Sequence, residues 1–185
     1  MNELLDKELV EKYPKIFRDR YSNMKVTAMC WGFEHGDGWY NILDALCSNI
    51  QHHTDWIRKK RASALKLNRK IKKAIELNSI EPIINHYNGD WWVERCEKIL
   101  AEKRYEEVPD KIHQVVASQV KEKFGTLSFY YGGGDENVHG MVRMAESMSA
   151  RMCETCGNPG KVRGRGWLTT LCDEHAEGRE EISDE

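Results

Sequence analysis

Two short stretches toward the C-terminal end constrain this chain more than any other feature. "CETCG" (residues 153–157) sets two cysteines three apart, and "CDEH" (residues 172–175) sets a cysteine and a histidine three apart. Cys153, Cys156, Cys172 and His175 form the donor set of a four-coordinate zinc site, with thiolate and imidazole ligands arranged as two biting pairs. Gly157 suits the tight knuckle turn that follows the first pair. Between the pairs lies "GNPGKVRGRGWLTTL", long enough for a small hairpin, and "LCDEHAEGREE" reads as the start of a helix. Knuckle, hairpin and helix make a treble-clef-like zinc module. Roughly thirty residues hold too little apolar surface to fold unaided, so the expected role of Zn2+ is structural.

The donor set also argues against zinc chemistry. A catalytic zinc keeps one position for water, whereas four protein ligands close the shell. "HAE" (175–177) has the form of the His-x-Glu of zinc deaminases, but in those enzymes it lies upstream of Pro-Cys-x-x-Cys. Here the order is reversed and Met152 precedes the first cysteine.

The cysteines outside the cluster, Cys30, Cys47 and Cys96, read as small buried hydrophobes. The start, "MNELLDKELVEKY", has acids where a secretory signal needs cations, and no apolar run approaches the length of a membrane span. A soluble, cytoplasmic protein is expected, with no membrane partner. The formal net charge of −2 does not point to nucleic acid, but its distribution is uneven. Residues 55–77 hold nine Lys and Arg against Asp55 and Glu76, and residues 173–185 hold seven acids against Arg179.

The remaining chain reads as α+β, mainly helical. Leu4, Leu5, Leu9 and Val10 predict a helix within 2–22, extended by Ile16 and Phe17 and kinked or broken by Pro14. "VTAMCWGF" (26–33) reads as a short buried strand or an extended loop. Ile42, Leu43, Leu46, Ile50 and Ile57 predict an amphipathic helix that continues through the basic stretch to residue 77. Pro82, Asn85, Asn88 and Gly89 mark turns, and "WWVERCEKILAEKRYEE" (91–107) reads as a helix stopped near Pro109. Period-two alternation at Val116, Ser118 and Val120, and again at Leu127, Phe129 and Tyr131, predicts a β-hairpin over about 113–131. Asp135 is a fair N-cap for a helix to about Arg151, with Met141, Met144, Ala145 and Met148 as a core face. The expected division is an α+β domain at 1–150, a zinc module at 151–178 and a frayed acidic tail at 179–185.

Two surfaces are candidates for partners. Arg58, Lys59, Arg61, Arg69, Lys70, Lys72 and Lys73 on the basic helix can neutralise phosphates or face an acidic protein, or simply form a solvated helix face. Arg163, Arg165 and Trp167 on the zinc hairpin can add charge and stacking. A third cluster, Glu34, His35 and Asp37 in "WGFEHGDGW", has acid–base groups side by side, although such a stretch is also an ordinary hydrogen-bonded turn. "GGGDENVHG" lacks the ending of a phosphate loop, and no Gly-x-Ser-x-Gly pattern occurs.

Taken together, "EKYPKIFRDRY", "MCWGFEHGDGWYNILDALC", "QVKEKFGTLSFYYGGGD", "MVRMAESMSARMCETCG" and "GWLTTLCDEH" resemble a family of uncharacterised small proteins encoded by tailed bacteriophages and prophages. The resemblance spans nearly the whole chain and is weakest over 60–110. The zinc-ligand tail by which that family is recognised matches Cys153, Cys156, Cys172 and His175. It implies a phage gene product acting in the bacterial cytoplasm and carries no mechanism with it. The expected function is a non-enzymatic accessory protein that binds and modulates, as an inhibitor does, a host or anti-phage defence protein. A nucleic-acid-binding protein and a metal-dependent nuclease centred on Glu34, His35 and Asp37 are the alternatives.

Overall fold

The computed structural model describes residues 1–87 and 90–182. In chain order the elements are α1 (Glu3–Lys12), a 3-10 turn (Ala28–Trp31), β1 (Phe33–Glu34), a second 3-10 turn (Asp37–Trp39) and α2 (Tyr40–Leu77). There follow α3 (Glu81–Tyr87), a 3-10 turn (Asp90–Trp92), α4 (Val93–Glu102), β2 (His113–Lys123), β3 (Thr126–Gly134) and α5 (Glu136–Ser149). The last elements are β4 (Lys161–Arg163), β5 (Thr169–Leu171) and a 3-10 turn at Asp173–His175. The architecture is α+β and mainly helical, as expected. Two compact units divide it, Met1–Thr54 with Ile112–Glu185, and Asp55–Lys111. The expected boundary at residue 150 does not coincide with this division, because the metal-ligand segment packs into the first unit.

In the first unit, β1, β2 and β3 form one sheet, with β1 parallel to β2 and β2 antiparallel to β3. Phe124 and Gly125 join the hairpin with φ of +54° and +79°. Two positive φ values at the centre of a two-residue loop match the right-handed strand twist, and glycine carries the second at no steric cost. The core face of β2 is not the one its alternation predicts. Val115, Ala117 and Val120 are buried, while Ser118 is exposed. Ala117 pairs with Tyr131 and Gln119 with Tyr130, so Ser118 is an extra residue, a β-bulge. The bulge shifts parity by one, which puts Val120 on the same face as Val115 and Ala117. On β3, Leu127 and Phe129 are buried as expected.

Side chains of α5 close the far edge of β3. The Leu127 N–H donates to Ser149 Oγ at 2.8 Å and the Phe129 N–H to Glu146 Oε1 at 2.9 Å. An edge whose donors are taken resists pairing with another chain. Asp135 caps α5 by accepting from the Val138 N–H at 3.1 Å. The buried face of α5 is Val138, Val142, Ala145 and Ser149. Met144 and Met148 are exposed, which corrects the reading of the methionines as core: they lie a helical step off that face.

Helix α1 begins at the Asn2 cap and ends at Lys12, ten residues short of expectation. Pro14 disfavours helical backbone at Tyr13 and offers no N–H of its own. Beyond it Arg20 donates to Asp6 at 2.8 Å and to the Cys30 carbonyl at 3.0 Å, fastening the irregular 13–31 stretch to α1. Leu9, Phe17, Met29, Trp39, Leu43, Ile50, Val115 and Leu127 meet in one core.

The second unit packs the later part of α2 with α3 and α4 around Leu67, Ile71, Ala74, Ile83 and Cys96. Pro82 and Asn85 lie inside α3 rather than in a turn; proline is tolerated in a first turn, where its missing N–H has no helical partner. Asn88 and Gly89, the other expected turn residues, lie outside the described residues. Lys103, with φ of +48°, ends α4 in a left-handed C-cap, earlier than expected. The stretch after it is pinned to α2. Asn68 exchanges two hydrogen bonds with the Glu106 backbone, at 2.8 and 2.7 Å, and Arg61 donates to the Pro109 carbonyl.

Candidate metal centre

The knuckle is built by backbone hydrogen bonds. The Gly157 N–H donates to the Cys153 carbonyl at 2.8 Å, and the Cys153 N–H to the Asn158 carbonyl at 2.7 Å. β4 and β5 pair antiparallel, Arg163 opposite Thr169, and carry the chain back to Cys172. The expected helix is a single 3-10 turn at Asp173–His175, followed by Glu177 and Gly178 at φ of +49° and +76°. One turn suffices to bring Cys172 and His175 to the same side.

The four ligand atoms all lie within 4.8 Å of one another. Cys156 Sγ is 3.7 Å from Cys172 Sγ, and His175 Nδ1 is 3.8 Å from Cys153 Sγ and 3.1 Å from Cys172 Sγ. A tetrahedron with metal–sulfur bonds near 2.3 Å and metal–nitrogen bonds near 2.0 Å separates its donors by about 3.5–3.8 Å. The cluster can therefore hold one metal ion. Its chemistry agrees with its geometry at Cys153. Burial pushes that thiol up, but hydrogen bonds from the backbone of Cys172, Cys156 and Thr155 outweigh burial and bring it down to about 7. Groups that favour a thiolate favour metal ligation.

The cluster is seated on the loop that precedes α2. The Gly38 N–H donates to the Glu154 carbonyl at 2.8 Å. The Gly36 N–H donates to Glu154 Oε1 at 2.8 Å, and Trp39 Nε1 donates to the Met152 carbonyl at 2.8 Å. The approach at Gly38 leaves no room for a side chain: a Cβ there would stand 2.2 Å from the Cys153 carbonyl oxygen and 2.4 Å from the Gly157 nitrogen. The hairpin turn supports the other side, where Thr170 Oγ1 donates to the Gly125 carbonyl at 2.5 Å. The two glycines of "EHGDG", which the sequence offered only as punctuation, are thus half of the metal centre's foundation. Their spacing alone could not reveal it, since the partner segment lies more than a hundred residues away.

Of the expected hairpin contacts, Arg163 has a different role. It is buried; Nε donates to the Leu171 carbonyl at 3.1 Å, and the guanidinium also pairs with Asp173. It braces the loop that carries Cys172 and His175. Arg165 and Trp167 are exposed, and Arg165 pairs with Glu180 at 2.5 Å. The acidic tail is not frayed as far as Ile182. Lys161 pairs with Glu181 at 2.8 Å, and the Ile182 N–H donates to the Val162 carbonyl at 3.2 Å. The basic hairpin and the acidic tail neutralise each other. Residues 183–185 lie outside the described residues.

Glu34, His35 and Asp37 do not converge. Glu34 accepts from Gln119 at 2.9 Å, and Asp37 accepts from the Asn2 backbone and side chain, both at 2.7 Å. His35 is buried between the Phe33 and Trp39 rings, with Nδ1 2.8 Å from the Gly36 carbonyl. Burial drives its pKa down to about 4, so the ring is neutral at pH 7. On the basic helix, Lys59, Arg69, Lys72 and Lys73 are exposed, Arg58 and Lys70 are half-buried, and Arg61 is held by Pro109.

No protein-family model, curated protein or solved structure matches this chain at a significant level.

Two outcomes test the foundation. Because His35 has a folded pKa of about 4 against an ordinary 6.5, the unfolded chain takes the proton first as the pH falls. Its contribution is whole above pH 6.5 and is lost toward pH 4, about 3 kcal/mol in all. Urea unfolding at stepped pH should show this slope, and His35→Phe should flatten it with the same metal donors present. Gly38→Ala should cost about 1–3 kcal/mol and speed metal loss to a chelator. Unchanged chelation kinetics would separate the loop from the metal centre.

Proposed function

We propose that this chain is a non-enzymatic binding protein whose Cys153, Cys156, Cys172 and His175 hold one structural Zn2+. The observation that carries this reading is the donor set itself, three sulfurs and one imidazole nitrogen gathered within 4.8 Å. Four protein donors complete a tetrahedral shell, so no position is left for water or substrate. When bound, the ion supplies cross-linking free energy to a segment whose own hydrophobic cluster is only Cys153, Leu171 and Cys172. Chelation then rests on the residues around it: the Glu154 contacts hold the knuckle, and Arg163 holds the second ligand pair.

The partner we propose is a protein, in keeping with the resemblance to small proteins encoded by tailed bacteriophages: a host or anti-phage defence protein of the bacterial cytoplasm. Support comes from the surface that the metal segment helps to build. Phe124 at the hairpin turn is 74% exposed and Trp167 is 76% exposed. Both line a shallow groove with Leu168, Gly166, Lys123 and Glu122. Two large exposed apolar side chains rimmed by charge have the make-up of a contact surface. The nuclease alternative loses its site, since Glu34, His35 and Asp37 serve three different structural contacts.

Elemental analysis should find one zinc per chain, and Cys172→Ala should lose it and expose residues 151–182 to hydrogen exchange. Zinc retained by that variant would overturn the ligand assignment. In infected cells, a protein that copurifies with the wild-type chain should be lost from the Phe124→Ala/Trp167→Ala variant while zinc content stays the same. Undiminished copurification would remove this surface from the reading.

A further inference from the structure

The helical unit carries a surface that the metal-centred reading leaves unused. Residues 55–111 hold fourteen Lys and Arg against ten acids, whereas the rest of the chain holds fourteen against twenty. The excess is ordered. Lys59, Lys66, Lys70 and Lys73 follow one another at steps of seven, four and three, which is one face of a helix, spanning about 21 Å at 1.5 Å per residue. The stripe flanks the buried face of the same helix, Ala64, Leu67, Ile71 and Ala74. Among the described residues none of these four lysines forms a salt bridge.

The stripe runs up to a group of aromatic rings. Tyr87 packs against the cluster that holds Leu67 and Ile71 of the same helix, and burial, then the charges of Lys70 and Lys66, hold the adjacent His86 below its ordinary pKa. His86 packs edge-on to Tyr87 at 5.2 Å, and Tyr87 stacks on Trp92 with centroids 4.9 Å apart and planes 23° apart. The Arg95 guanidinium lies over both rings, 5.7 Å from Tyr87 and 5.6 Å from Trp92. Trp92 is 37% exposed and its neighbour Trp91 is 93% exposed. On α2, Trp56 is half exposed beneath the Lys60 ammonium at 5.2 Å.

We propose that this face of the helical unit binds single-stranded nucleic acid, with Lys59, Lys66, Lys70 and Lys73 along the phosphates and Trp92, backed by Tyr87 and Arg95, stacking on a base. Unpaired cations in a row neutralise a regularly charged strand, and exposed indoles offer every base a π-face without regard to sequence. An acidic protein would use the lysines but would leave the aromatic platform idle. A duplex would use the lysines too, but its stacked bases offer no free face to Trp92. The inference stands apart from the partner reading above, since it uses neither the metal centre nor Phe124 and Trp167.

The test is fluorescence anisotropy of the full-length, zinc-loaded chain with labelled fifteen-nucleotide oligo(dT) and oligo(U), a duplex of equal length, and a polyglutamate competitor. Single strands should bind, with log affinity falling against log salt at a slope of about −3, near −0.7 for each of four phosphates. Lys66→Glu/Lys70→Glu/Lys73→Glu should lower affinity at least about tenfold and flatten the slope. Trp92→Ala should weaken binding about tenfold at an unchanged slope, and Trp92→Phe should restore most of it. Circular dichroism establishes that each variant is folded. Preference between the two oligomers names the strand as DNA or RNA. The proposal is overturned by absence of binding at 50 mM salt (about the low end of the usual range), by equal binding of duplex, by displacement with equimolar polyglutamate, or by folded variants that bind like the wild type.

Discussion

The contact on which the first unit depends is the seating of the Cys153–Gly157 knuckle against Gly36 and Gly38. Backbone meets backbone there, with the Gly38 N–H on the Glu154 carbonyl and the Gly157 nitrogen close enough to exclude any Cβ. Trp39 is fully buried one residue further on, and its indole N–H holds the Met152 carbonyl. The start of α2, the end of α5 and the first metal-ligand pair therefore meet at one place. A segment too small to fold alone becomes part of a larger core, and the metal donors inherit that core's rigidity. The same contact explains why a boundary drawn at residue 150 does not mark a separate compact body.

Electrostatics divide the molecule in a second way. The tail acids Glu180 and Glu181 are taken by Arg165 and Lys161, and Arg163 is turned inward to Asp173 and the Leu171 carbonyl. The charges around the metal segment are internal cross-links. Along α2 the balance is different, since Asp55 and Glu76 are the only acids among residues 55–77, against nine Lys and Arg. Charge that is not consumed within the fold is charge available to a ligand, whereas exposed apolar surface near the metal segment is offered by Phe124 and Trp167. The two surfaces differ in chemistry and belong to different compact units.

Some readings failed for identifiable physical reasons. Alternation across residues 116–120 pointed to the wrong face of β2 because a bulge at Ser118 inserts one residue, and a period-two pattern has no way to register an insertion made by the partner strand's pairing. The methionines of α5 follow helical spacing, yet that spacing also fits a flank, and only the positions of Val138, Val142 and Ala145 against the sheet decide which face is buried. Pro82 reads as a turn residue but occupies the first turn of α3, where its missing N–H has no partner to lose.

What the sequence by itself determined is what depends on short-range spacing: the Cys153, Cys156, Cys172 and His175 cluster that can hold a metal, the Asp135 cap, the hairpin over about 113–131, the basic stretch of α2 and the α+β class. Each follows from residues a few positions apart, whose geometry the backbone imposes. Tertiary structure alone decided that Glu34, His35 and Asp37 serve separate contacts and that Gly36 and Gly38 carry the metal knuckle. It also decided that Arg163 is a brace and that His86, Tyr87, Trp92 and Arg95 gather into one group. Those outcomes join residues distant in the chain, or turn on which of several faces is buried. Packing chooses among such arrangements by excluding overlap and by satisfying buried polar groups, and neither condition is visible until the segments meet.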